Sequence, residues 1–500
     1  MDQPKSKEQL PYPPPSEREN PISRRERIAY VEDQFFHTGD LKQREIQVNN
    51  MEGTILYLDP LTDNKLLQSA VLDPLTSHPD QDPKEILLSV DIKQETDLTK
   101  GIEGLTNGKS LLISEGKQKF FLLGTEKVYK RDINEPANEG VVRGPHDGFT
   151  EVLNINLYSI RKRVKNSDLT IRFHEVGNMT KTKIAVVFMK SLVNPELVRE
   201  VEKRIQSISA DMVMTPGFLQ EYTEDNSFSP FPQQLNTERP DRVVANIMEG
   251  RVAVLADGDP TALIKPVTLF AFYQSPDDYY NRWIVSSFVR LIRLVSFFIA
   301  FLLPAAYIAT VAFHPVILPL ELIFTIKGSL ERIPFPPMVE ALLIELIFEL
   351  LREAGIRMPS RVGQTIGIVG GLVIGDAIVR AGLVSYTMII VVSLTAIASF
   401  LVPSNEMSTA IRVLRFPLML AAALFGYVGI TLGVMFTFIH LCKLESFGTP
   451  YLSPIAPFRL RDWKDTFVRF PAWKLNRRSS ETHPQKMRQE YLSREWEAHD

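Results

Sequence analysis

Residues 280–313 read YNRWIVSSFVRLIRLVSFFIAFLLPAAYIATVAF, and they decide the fold. Before Trp283 the chain is mixed and charged. From Ile292 to Phe313 it is apolar, with Arg293 the one charged residue. At about 1.5 Å of rise per residue, such a helix is long enough for a hydrocarbon core of about 30 Å. Pro304 interrupts it and predicts a kink whose freed carbonyl must find a neighbour, a hydroxyl or water. Nothing of comparable length occurs in residues 1–285, whereas further apolar runs follow at 364–383, 385–402 and 414–441. The composition shift at Tyr280–Trp283 is therefore the main boundary. It separates a soluble α/β N-terminal region from an all-α polytopic membrane domain over 285–442 with about four spans.

Whole-chain averages conceal this segregation. Formal net charge is −3 and 23% of residues are charged, while mean hydropathy is −0.03. The near-neutral balance gives no reason to expect a nucleic-acid partner. Charge beside the apolar runs is more informative. Arg282, Arg290 and Arg293 precede the first span, and Lys443, Arg459, Arg461, Lys464, Arg469 and Lys474 follow the last. Basic flanks stay on the cytoplasmic side, so both termini are expected there and the number of crossings is even. Residues 443–500 are read as a basic cytoplasmic tail.

Two features of the membrane half carry chemistry. The first is an acidic helix after Pro334-Phe335-Pro336-Pro337, whose prolines favour a helix start just behind them. Glu345, Glu349 and Glu353 fall on one face at i, i+4 and i+8, and Glu340 points to nearly the opposite side. Like charges so spaced repel and need compensation. A hydrated cation path would supply it, and so would solvent around a surface helix; spacing alone favours the latter. The segment 338–353 is read as a short re-entrant or interfacial helix. The second feature is a ridge of Gly363, Gly367, Gly371 and Gly375, which lets another helix approach closely. Asp376 and Arg380 follow one turn apart, as gating residues or as an ion pair near the interface.

Residues 1–45 are polar, with Pro11, Pro13, Pro14 and Pro15 clustered, and read as a disordered tail without the apolar core of a signal peptide. The rest of the soluble region divides into two related subdomains, 46–135 and 136–280. Thr54–Leu58, Leu111–Ser114, Phe120–Leu123, Ile184–Phe188 and Val252–Leu255 read as strands, and Asn64–Val71, Pro195–Ile208 and Pro240–Met248 as helices. The relation between the halves shows in a repeated frame. Gly108-Lys109 leads through a strand to Glu115-Gly116, and Gly250-Arg251 leads through a strand to Asp257-Gly258 at the same separation. Arg143-Gly144-Pro145-His146-Asp147-Gly148-Phe149 is a basic turn joining the subdomains, with Arg143 and Asp147 the candidates for coupling them.

No catalytic or cofactor-binding constellation is expected. The segment Gly104 to Ser110 imitates a phosphate-binding loop, but it is one residue short between glycines and leads into a strand. Asp277-Asp278 reads as a solvated junction before the membrane. The single cysteine, Cys442, excludes an internal disulfide and a thiolate metal cluster, and the eight histidines lack ligand spacing.

Several segments resemble the A subunit of GerA-type spore germinant receptors of endospore-forming bacteria. They are VVRGPHDGFTE (Val141–Glu151), GRVAVLADGDP (Gly250–Pro260), SPDDYYNRW (Ser275–Trp283) and PFPPMVEALLIELIFELLREAGIRMP (Pro334–Pro359), with IVGGLVIGDA (Ile368–Ala377), LTAIASFLVP (Leu394–Pro403) and SFGTPYLSPIAPF (Ser446–Phe458). The resemblance covers most of residues 100–460. It implies a multi-pass protein of the spore inner membrane acting with a transporter-like, nutrient-binding B subunit and a lipoprotein C subunit. It further implies a homo-oligomeric cation channel, such as a pentamer, with Glu345, Glu349 and Glu353 as candidates for its ion path. Asp376 departs from the glutamine frequent in the family. Rival readings are a sibling group that amplifies ion release without sensing nutrients, a secondary transporter and a non-conducting scaffold. The transporter fits less well, because the internal duplication lies outside the membrane half.

Overall fold

The protein is described here by a computed structural model covering residues 23–128, 136, 139–214, 216–330, 333–357 and 375–489. Ten strands form two antiparallel sheets. The first contains β1 (Leu41–Val48), β2 (Met51–Leu58), β3 (Ile92–Glu95), β4 (Ser110–Ser114) and β5 (Phe120–Leu123), in the order β1-β2-β4-β5-β3. The second contains β6 (Leu169–Val176), β7 (Thr182–Met189), β8 (Leu235–Thr237), β9 (Val252–Ala256) and β10 (Ala262–Lys265), in the order β6-β7-β9-β10-β8. The orders are identical when each strand is matched to the one five places later. Two related α/β subdomains are therefore present, and the repeated glycine frame marks equivalent places in both. Gly108 and Gly250 enter β4 and β9 at φ 91° and 85°, and Gly116 and Gly258 leave them at 68° and 90°. Only glycine adopts this left-handed backbone cheaply.

Side-chain alternation explains why both sheets are covered on two faces. Leu111, Ile113, Phe120 and Leu122 point into one core, while Leu112, Phe121 and Leu123 point into another. In β9, Val252 and Val254 join one core, and Ala253 and Leu255 the other. That second core runs on through Leu269, Phe272 and Tyr451 into the helical region, so sheet and helices share one packed interior.

The N-terminal tail corrects the expectation of disorder up to residue 45. Arg24–Gln34 is a helix, and Val31 and Phe35 are buried in the first sheet's core. Its apolar stripe is only Ile28, Val31 and Phe35 among polar residues, too sparse to stand out in the sequence.

The helical region begins at Trp283–Phe313. Pro337–Arg357, Tyr386–Phe400 and Asn405–Lys443 pack against this helix. Among the described residues, Trp283–Phe313 and Asn405–Lys443 are long and apolar enough to cross a membrane. The stretch expected as one span at 414–441 is two helices folded back at Gly426, whose φ of 60° and ψ of −139° are non-helical. Across the fold, a Cβ at Gly433 would lie 2.5 Å from Leu418 Cδ1, and one at Gly429 would strike the Ala421 carbonyl. A straight helix would hold residues 418 and 433 about 22 Å apart. The acidic helix is also longer than the expected 338–353. It stands beside its neighbours, its Glu340 near Ser385 at one end and its Arg352 near Ser399 at the other.

Contacts order the bundle from end to end. Arg293 meets Asp278 of the soluble region, Ala300 meets Arg415 at mid-length, and Thr310 meets Tyr427 near the far end. His440 returns to Ser229 of the soluble region at 2.8 Å. Both ends of the helical region thus leave from the same side.

The tail after Leu444 is not a loose appendage. It straps the second subdomain. Tyr451 is fully buried and its hydroxyl donates to the Pro232 carbonyl at 2.6 Å. Farther on, Arg478 Nε donates to Met248 O at 2.7 Å, and Gln485 Nε2 to Val193 O at 2.7 Å.

Candidate functional site

Apolar residues on three helices leave few places for charge, and the acidic helix fills them in pairs. Glu345 is buried and receives both hydrogen bonds of Arg415 Nη1, at 2.8 and 2.6 Å. Arg415 is buried too, and its Nε donates to Ala300 O at 2.9 Å. One turn on, Glu349 accepts from Arg412 Nη1 at 2.7 Å and lies 3.8 Å from Arg352. Glu353 pairs with Arg357 at 2.6 Å in solvent-exposed positions. Glu340 is fully buried and accepts from the Ser385 backbone N–H at 2.5 Å and from the Ser385 hydroxyl.

The three glutamates therefore grade from buried to exposed along one helix, each met by an arginine. Pairing is what makes Glu345 tolerable, because an isolated carboxylate in a low-dielectric interior costs several kcal/mol (~5 or more). Sequence reasoning passed over Arg412 and Arg415. They stand at the head of an apolar run, where basic residues read as flank charges. The remaining site candidates lie elsewhere. Gly363, Gly367 and Gly371 fall outside the described residues. Gly375 is the first described residue after them and is helical with 376–380; among the described residues a Cβ there would meet nothing within 4 Å. Asp376 and Arg380 form a 2.8 Å ion pair with both side chains more than half exposed.

At the join of the subdomains, Asp147 pairs with Arg163, and Arg143 is exposed. A stronger link between the subdomains was not anticipated. Arg161 forks onto Asp40 at 2.8 and 2.9 Å, with both side chains about 1% exposed. Thr38 and Gly39 bond to Ile171 beside this pair.

A second buried charge cluster ties the soluble region to the helices. Asp278 is 2% exposed, which corrects the solvated-junction reading of Asp277-Asp278. Arg290 Nε reaches its Oδ2 at 2.8 Å, and Arg293 Nη1 reaches both oxygens at 2.9 Å. Arg290 also pairs with Asp465 of the strap, and Arg469 donates to the Asp278 and Asn281 carbonyls at 2.8 Å. The arginines that read as a basic flank fold back onto the carboxylate, and the strap closes over them.

A smaller socket sits nearby. Phe447, at the tip of a strap turn, lies under Arg204 and Lys265 at 4.3 and 4.9 Å. Burial, aided by Arg204, pushes the Lys265 ammonium down to about 7.

Glu481 of the strap is buried between Arg251 and Arg459, with Asp462 also near, and burial pushes its carboxyl up to about 7 from an ordinary 4.5. Between those values the folded state holds a proton that the released strap gives up. Docking therefore weakens as pH rises through that window and stays weakened above about 7. Limited proteolysis of residues 479–489 in the full chain should be faster at about pH 8 than at about pH 6, and Glu481→Gln should remove most of that difference.

A family described as Bacillus/Clostridium GerA spore germination protein matches residues 29–481. Spore germination protein B1 of Bacillus subtilis (strain 168) is 40% identical over 476 residues, covering 92% of this chain and 95% of that protein. Spore germination protein A1 of the same organism is 40% identical over 449 residues, covering 89% and 93%. The N-terminal domain of the A subunit of the Bacillus megaterium spore germinant receptor GerK3 is 25% identical in a solved structure. That likeness covers 49% of this chain and 94% of that one, at a TM-score of 0.39.

Proposed function

The chain belongs to the GerA spore germination protein family, and on that premise we propose that it is the A-type subunit of a germinant receptor whose helical region conducts monovalent cations. Copies of the chain surround a hydrated path in the spore inner membrane, in a small ring such as a pentamer. A transporter-like B subunit binds the nutrient, and a lipoprotein C subunit completes the receptor. Binding shifts the assembly toward its open state only through differential affinity for the two states. The helical region spans the membrane several times with both termini on the core side. The common departure side of Trp283 and Leu444 supports this topology. The glycines at 363, 367, 371 and 375 pack helices together, and Asp376 with Arg380 forms an interfacial ion pair. The turn bearing Arg143 and Asp147 couples the subdomains.

One observation carries the channel reading. Glu349 lies within the helix bundle beside the buried Glu345–Arg415 pair, held by Arg412 and Arg352, yet its side chain remains 30% exposed. A carboxylate that is both anchored and accessible can meet a passing cation, which buried Glu345 cannot do without rearrangement. Glu349→Gln spores should release potassium more slowly after nutrient addition while accumulating the receptor normally. Wild-type release at normal protein level removes this carboxylate from the path.

A further inference from the structure

A cavity of about 1220 Å³ opens between the strap and the second subdomain, beside the residues that lead into Trp283–Phe313. Its charges are unevenly satisfied. The five carboxylates in its wall already have partners: Asp241 holds Arg239, Asp465 holds Arg290, Glu481 holds Arg251, Asp462 accepts from Ser480, and Glu249 accepts from Ser479. The cations do not. Among the described residues, no carboxylate lies within ion-pair distance of Arg459, Lys464, Arg469, Lys474, Arg477 or Arg478, all of which line the cavity. Arg469 is more than nine-tenths buried, and among the described residues its Nε has no hydrogen-bond acceptor.

The surroundings locate this surplus of positive charge. Phe458, Leu460 and Trp473 are exposed on the strap, and Tyr279, Tyr280 and Trp283 are exposed where the helices begin. Exposed aromatic residues with cations alongside suit the boundary between acyl chains and headgroups. A cationic recess at that depth attracts anionic headgroups rather than zwitterionic ones.

We infer that this cavity binds the phosphate of an anionic phospholipid headgroup, which thereby fastens the strap to the membrane surface. The inference rests on the membrane reading of the helical region. Lipid bound there bridges the strap and the Asp278 cluster, because Arg469 and Asp465 belong to both.

The test uses the full chain in nanodiscs of phosphatidylcholine with or without phosphatidylglycerol, followed by native mass measurement of retained lipid. Phosphatidylglycerol should be retained in preference to phosphatidylcholine. Lys474→Gln with Arg477→Gln, two exposed positions, should weaken retention about twenty-five-fold, at roughly a five-fold loss per cation. Arg199→Gln, an exposed change far from the cavity, should leave it unaltered. Equal retention by the double variant and the wild type overturns the site. So does displacement of the lipid by an equal concentration of inorganic phosphate, which would identify a free-anion site. Release of the chain from spore membranes by carbonate overturns the membrane reading, and the lipid site with it. Firm membrane retention without lipid preference overturns the site alone.

Discussion

Asp278→Ala should destabilise the protein by about 3–5 kcal/mol, a large share of the roughly 5–15 kcal/mol that holds a typical domain folded. The carboxylate is the shared partner of Arg290 and Arg293, and all three groups are almost fully buried. Among the described residues, removing it leaves Arg293 with only the Tyr273 carbonyl at 3.3 Å. Arg290 fares better, because Asp465 still reaches it at 2.8 Å. The damage should therefore centre on the seam between the soluble region and the first long helix. Thermal unfolding of the detergent-solubilised full chain measures it, and an unchanged midpoint would refute the argument. Asp278→Asn keeps one acceptor and should fall between alanine and wild type.

Arg161→Ala should cost a similar amount, about 3–5 kcal/mol, at the seam between the two subdomains. The guanidinium forks onto Asp40 from 121 residues away, and truncation strands a buried carboxylate that keeps only the Thr38 hydroxyl. The penalty comes from the orphaned charge rather than from the strength of the pair, and a second variant separates the two. Asp40→Leu combined with Arg161→Met fills the same space without charge, and should recover most of the loss. Chemical denaturation of the single and double variants tests this. A double variant no better than Arg161→Ala would mean that the hydrogen-bond geometry, including Thr38, is itself required.

Particular strands show what could be read from the sequence and what could not. The strands expected at 54–58, 111–114, 120–123, 184–188 and 252–255 all lie inside their sheets. There both faces are buried, and the residues form unbroken apolar runs. The strands that were missed are β1, β3, β6 and β8, the four sheet edges, and β10, an interior strand of only four residues. LKQREIQV in β1 alternates weakly because most of its residues face solvent. An edge strand is defined by the neighbour it pairs with, and a local pattern of apolar residues does not record that neighbour.

The charged clusters divide in the same way. Glu345, Glu349 and Glu353 stand out because their spacing is a property of one helix. Their counter-charges do not, since Arg412 and Arg415 come from a helix 63 and 70 residues later. The basic flank at Arg290 and Arg293 was visible, but its buried partner Asp278 read as a surface residue. Likewise the strap, rich in Arg and Lys, carries the signature of a solvated tail while Tyr451 and Glu481 sit in the interior.

By itself, the amino-acid order determined where the apolar half begins and that the soluble half is duplicated. Each follows from local composition or from a repeat of fixed spacing, which no tertiary contact can alter. Tertiary structure alone decided that the chain doubles back at Gly426, which arginine meets which carboxylate, and that the tail closes over the junction. Those outcomes depend on contacts between residues far apart in sequence. A glycine in an apolar helix, or an arginine at its end, reads the same whichever neighbour it meets.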